Sequence, residues 1–293
     1  MRYFVLFLGY FLFSCADDGV KETQLPQEED VAATTQAAVP SLEKLWVTEG
    51  FAEPEGVAAA PMGGYFISNV SGGATDHDGS GWISLLSEDG QILDQHWATG
   101  LDAPKGMAVH NDILYVADIN SVRLYDTTTG APSGVVKIES AKFLNDVAAW
   151  QGDILVSDSR SATIYRLVAE GAEIWIEDEE MLGGVNGLLG DGDRLLISTM
   201  TTGTLFEADA DRSLRDLGTG MIDADGIGIV PGGGYLVSAW RGDIFFASEK
   251  GEVSKLLDTR TEEISQNDLS VYGNLVIVPN WQPGTVTGWR IVR

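Results

Sequence analysis

The chain has 293 residues, of which 44% are hydrophobic, and its 44 acidic residues against 18 basic ones give a formal net charge of −26. So acidic a chain argues against nucleic acid as a partner, because a phosphate backbone binds to basic surface. The charge identifies no substrate, since a diffuse acidic surface is also typical of solubility or of a salty habitat.

Residues 1–14 predict a signal peptide of the lipoprotein type. Arg2 supplies a positive start, and residues 3–13 form an almost wholly apolar run that is too short to span a membrane. The run ends at Leu12-Phe13-Ser14-Cys15, which resembles a bacterial lipobox. We therefore expect lipidation at Cys15. Because Ala16 follows rather than an aspartate, we expect an outer-membrane lipoprotein that faces the periplasm and meets the membrane only through this anchor. An ordinary secretory signal or a membrane anchor is the alternative.

Cys15 is the only cysteine of the chain, so an intramolecular disulfide is excluded although the protein is expected to be exported. Residues 15–40 are polar and acidic and lack the periodicity of a strand or a helix. They predict a disordered acidic tether.

Residues 41–293 contain six copies of one pattern, in which a polar residue is followed by two short apolar strands joined by a turn. The opening polar residue, here called the lead residue, recurs every 39 to 50 positions. The six lead residues are Glu55, Lys105, Asn145, Asn186, Asp225 and Asp268. A strand-and-turn repeat with a period near 40 is typical of a β-propeller. We therefore predict an all-β, six-bladed β-propeller with one blade per repeat.

The sixth repeat contains only three strands before the chain ends, whereas the others divide into four. A spare strand precedes the first repeat, at residues 44–48. We predict that this N-terminal strand completes the last blade and closes the ring, because an open propeller would leave unpaired strand edges.

Antiparallel strands place the start of each first strand and the end of each second strand on the same face of the disc. That face is predicted to bind a small-molecule substrate. Besides the lead residues, it carries the ends of the second strands: Asn69, Asp118, Asp158, Ser198, Trp240 and Asn280. The predicted substrate contacts are Lys105, Asp268, Asp118, Asp158, Arg160 and Trp240. For Arg160 and Trp240, packing between blades is the alternative.

The lead residues supply oxygen donors and include neither histidine nor cysteine. Such donors suit a hard cation such as Ca²⁺ and make zinc a poor candidate. Converging carboxylates would repel one another and raise their own pKa values, which a divalent cation would prevent. The alternative is that these side chains only hydrogen-bond the backbone around the central channel.

The order Glu55-Gly56, Asn145-Asp146, Asn186-Gly187 and Asp225-Gly226 resembles the senescence marker protein/gluconolactonase family, which includes regucalcin. It is also similar to the wider six-bladed group that contains diisopropylfluorophosphatase and paraoxonase. The resemblance implies that Glu55, Asn145, Asn186 and Asp225 ligate one divalent metal, usually calcium. It further implies that Asp225 acts as general base or nucleophile in the hydrolysis of a lactone or related ester.

Two departures from the family pattern affect the expected substrate. Phe143 stands two residues before Asn145, where gluconolactonases carry an arginine that helps hold the sugar lactone. We therefore expect a substrate less polar than gluconolactone. Lys105 brings a cation into the ring, where it either anchors an anionic substrate or pairs with a neighbouring carboxylate and weakens metal binding.

The long loop of residues 70–81 rises from the predicted site face and is a candidate lid. Its Asp76-His77-Asp78-Gly79 resembles part of a calcium loop, and His77 is a candidate general base by position. His96 and His110 are expected to be structural. No serine on this face has a histidine partner in the sequence context, so a serine-hydrolase triad is not supported.

Two further hypotheses remain open from the sequence. One is a noncatalytic propeller, tethered in the bacterial envelope, that binds a ligand or a protein. The other is a metal-binding scaffold inside an envelope complex. Propellers serve unrelated roles, so the fold does not decide among them. The four-residue ligand set favours the hydrolase.

Overall fold

The computed structural model describes residues 38–293. The signal peptide, Cys15 and most of the tether predicted above lie outside these residues. Within them the chain forms 25 strands and one 3₁₀ helix, Arg260–Glu262. The described residues contain no helix with the length and apolar character needed to span a membrane.

The strands form six antiparallel sheets, so the prediction of an all-β, six-bladed propeller is confirmed. The first strand, β1 Ser41–Glu49, belongs to the last blade. Blades 1 and 2 consist of β2 Pro54–Ala59, β3 Tyr65–Asn69, β4 Gly81–Leu86, β5 Ile92–Leu101, β6 Pro104–His110, β7 Ile113–Asp118, β8 Ser121–Asp126 and β9 Pro132–Lys137. Blades 3 and 4 consist of β10 Leu144–Trp150, β11 Asp153–Asp158, β12 Thr163–Val168, β13 Gly171–Glu177, β14 Val185–Asp191, β15 Arg194–Thr199, β16 Leu205–Ala208 and β17 Leu214–Gly218.

Blade 5 consists of β18 Ala224–Ile229, β19 Tyr235–Ala239, β20 Asp243–Ala247 and β21 Val253–Asp258. The remaining strands of blade 6 are β22 Ser265–Gln266, β23 Ser270–Tyr272, β24 Leu275–Gln282 and β25 Thr285–Val292. In blades 1 to 5 the four strands pair in chain order. The first strands of successive blades contact one another and surround the central channel.

Blade 6 combines both ends of the described chain. Strand β1 pairs with β25 from Ser41 opposite Val292 to Glu49 opposite Thr285. The inner edge of this blade is split, because the short strands β22 and β23 both pair with β24. The residues between them, 267–269, carry the sixth lead position.

The hydrophobic core lies between neighbouring blades. Trp150, Leu155 and Trp175 of blade 3, for example, pack in one cluster with Leu195 and Ile197 of blade 4. The inner strands are buried on both faces, because each face meets a neighbouring blade, whereas outer strands such as β1 and β9 are largely exposed. Burying each large apolar side chain contributes roughly 1.5–3 kcal/mol to stability.

Asp268 links blade 6 to blade 1 at the closure of the ring. Its Oδ2 accepts a hydrogen bond from the Val57 amide at 3.2 Å, and its Oδ1 accepts one from the Leu269 amide at 2.7 Å. Ser270 Oγ donates to the Val57 carbonyl at 3.2 Å. The carboxylate therefore supplies acceptors for two amides in a buried part of the channel.

We expect Asp268→Ala to lower the free energy of unfolding by about 3 kcal/mol, because two buried amides lose their acceptor. Urea unfolding followed by tryptophan fluorescence at constant calcium measures the change. Asp211→Ala, in the exposed turn between β16 and β17, is the matched control. A loss no larger than in this control would show that Asp268 does not support ring closure.

Candidate active site

A pocket of about 560 Å³ opens on the face where the first strands of the blades begin. Five of the six predicted lead residues line it, and all five are buried: Glu55, Lys105, Asn145, Asn186 and Asp225. The structure therefore brings together the four residues that the resemblance implies as metal ligands.

The sixth position of this ring is Asn267 rather than Asp268. Asn267 is buried and lines the pocket, whereas Asp268 lines a separate cavity of about 360 Å³ along the central channel, together with Asp146. Asp268, which was predicted to contact the substrate, therefore does not line this pocket. The pairs Asn145-Asp146 and Asn267-Asp268 occupy equivalent places, with the amide at the pocket and the carboxylate in the channel.

A β-bulge in each of the first five inner strands aims the lead side chain at the pocket. In blade 1 the pairing passes from Pro54–Asn69 to Val57–Ile67, so that two residues, Glu55 and Gly56, oppose the single residue Ser68. The inner strands of blades 2 to 5 show the same shift of register at their lead residues. Bulges of this kind redirect a side chain at the rim of a sheet.

Four serines on the second strands hold these bulges. Each accepts a hydrogen bond, through its hydroxyl, from the amide of the residue after the lead residue, at 2.7 to 2.9 Å. They are Ser68, Ser157, Ser198 and Ser238. No role was predicted for them as a set, although serine recurs at the same place in four repeats. Ser198 also donates to the backbone carbonyl of Asp225, which fixes the position of that residue.

Glycine after a lead residue makes room for the next blade. A Cβ on Gly106 would come within 2.0 Å of Asp146 Oδ1, and a Cβ on Gly226 within 2.2 Å of Asp268 Oδ1. Any larger residue at these two places would displace a channel carboxylate. These two glycines therefore allow the half-buried aspartates Asp146 and Asp268 to enter the channel.

The donor set fits a hard divalent cation. It offers the carboxylates of Glu55 and Asp225 and the side-chain amides of Asn145, Asn186 and Asn267. The Glu55 carboxylate receives no hydrogen bond from any described residue. Asn145 donates through Nδ2 to Ser159 Oγ at 3.1 Å, which leaves its carbonyl oxygen available. No group of three or more His, Cys, Asp and Glu side chains within residues 38–293 is arranged to hold a metal, so amide oxygens are essential to such a site.

Four buried carboxyl groups affect one another around the channel. Burial, and then the charge of Asp225, raises the pKa of Glu55 well above its usual value. Burial also raises the pKa of Asp146 and that of Asp225 to about 7, and in Asp225 a side-chain hydrogen bond from Asn186 opposes the rise. The pKa of Asp268 is raised well above its usual value, again chiefly by burial. A bound cation would favour the ionised forms.

Lys105 hydrogen-bonds to carbonyls rather than to a carboxylate. Its ammonium donates to Ala103 O at 2.8 Å and to Ala74 O at 3.0 Å, and no described carboxylate oxygen lies within 4.0 Å of it. Burial lowers the pKa of Lys105 to about 8, and the charge of Glu55 opposes this shift. Of the two roles expected for Lys105, direct pairing with a neighbouring carboxylate is absent from the structure.

Asp118 and Asp158 do not line the pocket. Asp118 accepts hydrogen bonds from the amides of Asp102 and Ala103, and it forms an ion pair with Arg123 at 3.0 Å. Asp158 accepts hydrogen bonds from the amides of Lys142 and Phe143 at 2.7 and 3.1 Å. Both carboxylates hold the loop that leads into an inner strand, which leaves them buried away from a substrate.

Arg160 and Trp240 line the pocket, as predicted for substrate contacts. Trp240 packs edge to face against Trp281, with ring centres 5.6 Å apart. Trp281 also lines the pocket but was not identified from the sequence. Trp281 follows Asn280 near the end of β24, and Trp240 follows Ala239, the equivalent residue at the end of β19, so a tryptophan at the same place in two repeats was the available signal.

In the long loop of residues 70–81, Ala74 lines the pocket, whereas His77 does not. The His77 ring lies 3.0 Å from Asp102 Oδ2. Asp76 and Asp78 accept hydrogen bonds from the loop amides of Gly73 and Ser80. These side chains therefore stabilise the loop itself.

No family model matches the chain, and no curated protein matches it. Among solved structures, a gluconolactonase from Xanthomonas campestris is 14% identical, with 89% of this chain and 93% of that chain covered at a TM-score of 0.66. A catalytically inactive histidine-to-alanine variant of virginiamycin B lyase from Staphylococcus aureus, solved with quinupristin, is 12% identical, with 87% and 100% covered at a TM-score of 0.62.

The fold is that of the gluconolactonase and virginiamycin B lyase propellers. A structural genomics protein of unknown function from Bacteroides thetaiotaomicron shares it at 13% identity, with 86% of this chain and 76% of that chain covered and a TM-score of 0.63. At such identities the likeness concerns the fold. It agrees with the resemblance to gluconolactonases that the lead residues indicate.

Proposed function

We propose that the protein is a divalent-cation-dependent hydrolase that opens a lactone or a related ester in the central pocket. The observation that carries this proposal is the buried donor set at the pocket floor, in which the Glu55 carboxylate has no hydrogen-bond partner among the described residues. Glu55, Asn145, Asn186 and Asp225 would hold Ca²⁺ or another divalent cation, and Asn267 offers a further oxygen. Two carboxylates balance the charge of one such ion.

When bound, the cation would polarise the substrate carbonyl and stabilise the negative charge that develops on its oxygen. Asp225 is the proposed base, which accepts the proton of the attacking water, or the nucleophile. Burial raises its pKa to about 7 in the metal-free protein, and a bound cation would keep the carboxylate ionised and able to accept a proton. Trp240 and Trp281 provide the apolar wall that accepts the rest of the substrate and excludes water.

The lining of the central pocket favours proton transfer by a carboxylate over proton transfer by a histidine. In virginiamycin B lyase a histidine-to-alanine variant is catalytically inactive. The chain has three histidines, and none of them lines the central pocket. The carboxylates therefore remain the candidates for proton transfer, as in a lactonase-type mechanism.

A screen of aliphatic, aromatic and sugar lactones tests the proposal. Chelator-treated protein should be inactive and should recover turnover when calcium is added. Sugar lactones should be poorer substrates than apolar ones, because Phe143 stands where gluconolactonases carry an arginine. Absence of turnover on every lactone, combined with tight binding of one of them, would favour the noncatalytic binding propeller instead.

We also propose that the protein is an exported lipoprotein of the outer membrane. Cys15 at the end of an apolar run is the observation that supports it. Labelled palmitate should enter the wild type and not Cys15→Ser, and the variant should move from the membrane fraction to the soluble periplasm. Equal labelling of both proteins would contradict lipidation at Cys15.

A further inference from the structure

One wall of the central pocket carries two cations on a shared aromatic ring. The Lys105 ammonium lies 4.5 Å from the centre of the Phe143 ring, and the Arg160 guanidinium carbon lies 4.6 Å from it. All three residues line the pocket. The ring spaces the two cations and holds both beside the cavity.

Neither cation forms an ion pair with a carboxylate of the described residues, although the carboxylates of Glu55 and Asp225 line the same pocket. The Arg160 guanidinium makes no ion pair or hydrogen bond there, and Lys105 Nζ uses two of its three protons on carbonyls. Six other arginines do pair with carboxylates: Arg123, Arg166, Arg194, Arg215, Arg260 and Arg290. In a chain with a net charge of −26, two cations that lie in one pocket without an ion pair indicate a place for an anion from outside.

Another part of the pocket lining is apolar. Trp240 and Trp281 form their edge-to-face pair there, and Met200 and Ile222 also line the cavity. The Ile222 side chain is 58% exposed, although it is large and hydrophobic. Covering this apolar surface with an apolar group of a ligand would remove it from water and so favour binding.

We infer that the pocket takes an amphiphilic anion, namely an ester or lactone that also bears a carboxylate, with the carboxylate at Lys105 and Arg160 and the apolar part against Trp240 and Trp281. The inference rests on the proposed function for the reaction, but the binding selectivity exists with or without turnover. Arg160 offers planar donors that match a carboxylate, and the third proton of Lys105 adds another.

Calorimetric binding of two probes of the same shape tests this inference. The probes are 4-phenylbutyrate, which carries the anion, and 4-phenylbutanamide, which is neutral. With calcium in excess, we expect the wild type to bind the carboxylate about 10-fold more tightly than the amide, as charge-assisted hydrogen bonds imply. Arg160→Gln and Lys105→Met should each remove most of this preference. Arg290→Gln, whose guanidinium pairs with Glu43 on an outer strand, is the matched control and should keep it.

Arg160 is exposed, so Arg160→Gln tests the inference even where Lys105→Met fails to fold. Equal affinity of the wild type for the two probes would overturn the inference. So would a preference that persists in both variants and disappears with chelator, because the carboxylate would then lie on the cation. A preference that depends on Arg160, in a protein that hydrolyses no lactone, would support the inference and reject the proposed hydrolysis.

Discussion

Asp225→Asn is expected to weaken calcium binding and lactone hydrolysis together. The amide keeps the size of the side chain, so the bulge held by Ser198 and Ser238 should persist. It removes one of the two carboxylates at the pocket floor and cannot accept a proton as a carboxylate does. We expect kcat/KM to fall about 1,000-fold, which corresponds to about 4 kcal/mol of transition-state stabilisation.

Titration calorimetry of chelator-treated protein measures the calcium affinity, which should fall about 100-fold when one carboxylate ligand is lost. Asp211→Asn is the control, because it removes the same charge from the exposed turn between β16 and β17. Unchanged calcium binding in Asp225→Asn would show that the cation is not held at this donor set. Loss of binding with full turnover would show that hydrolysis does not require it.

The period of the repeat predicted the fold, because few other architectures repeat short strands and turns at a spacing near 40. It also predicted which face carries the pocket, since antiparallel pairing follows from short turns. The lead residues of five blades line the pocket, because each inner strand there runs unbroken through its bulge. In blade 6 the pair Asn267-Asp268 stands where blade 3 has Asn145-Asp146, so Asn267 lines the pocket; the prediction was wrong because it took the second residue of this pair, and not the first, as the lead residue.

Side-chain direction was the part that the sequence could not supply. Asp118 and Asp158 lie at the predicted ends of β7 and β11, but their carboxylates turn toward the amides of the preceding loops. Backbone amides with no strand partner compete with a substrate for any nearby carboxylate. Trp281 was not predicted, because an aromatic residue near the end of a strand usually packs in the core, and only its neighbours in the structure show that it lines the pocket.

Metal-free protein is expected to lose stability as the pH rises from about 4 to about 7. Burial raises the pKa of both Asp146 and Asp225 from 3.8 to about 7. Between those values the folded protein binds more protons than the unfolded chain, so each rise in pH favours unfolding. Each unit of raised pKa corresponds to about 1.4 kcal/mol, and the contribution of these two aspartates is fully developed above about pH 7.

Urea unfolding of chelator-treated protein across this range measures the slope. Calcium should reverse much of the loss near neutral pH, because it binds the ionised carboxylates of the folded state alone. Repulsion among the many surface carboxylates acts in the same direction, but salt screens exposed charges far more than buried ones. The slope is the change of the free energy of unfolding with pH. If it persists in high salt and is reduced in Asp225→Asn but not in Asp211→Asn, it arises from the carboxylates of the channel. If the free energy of unfolding of calcium-free protein stayed constant or rose between pH 4 and 7, this prediction would be wrong. The carboxylates of the channel would then need no cation.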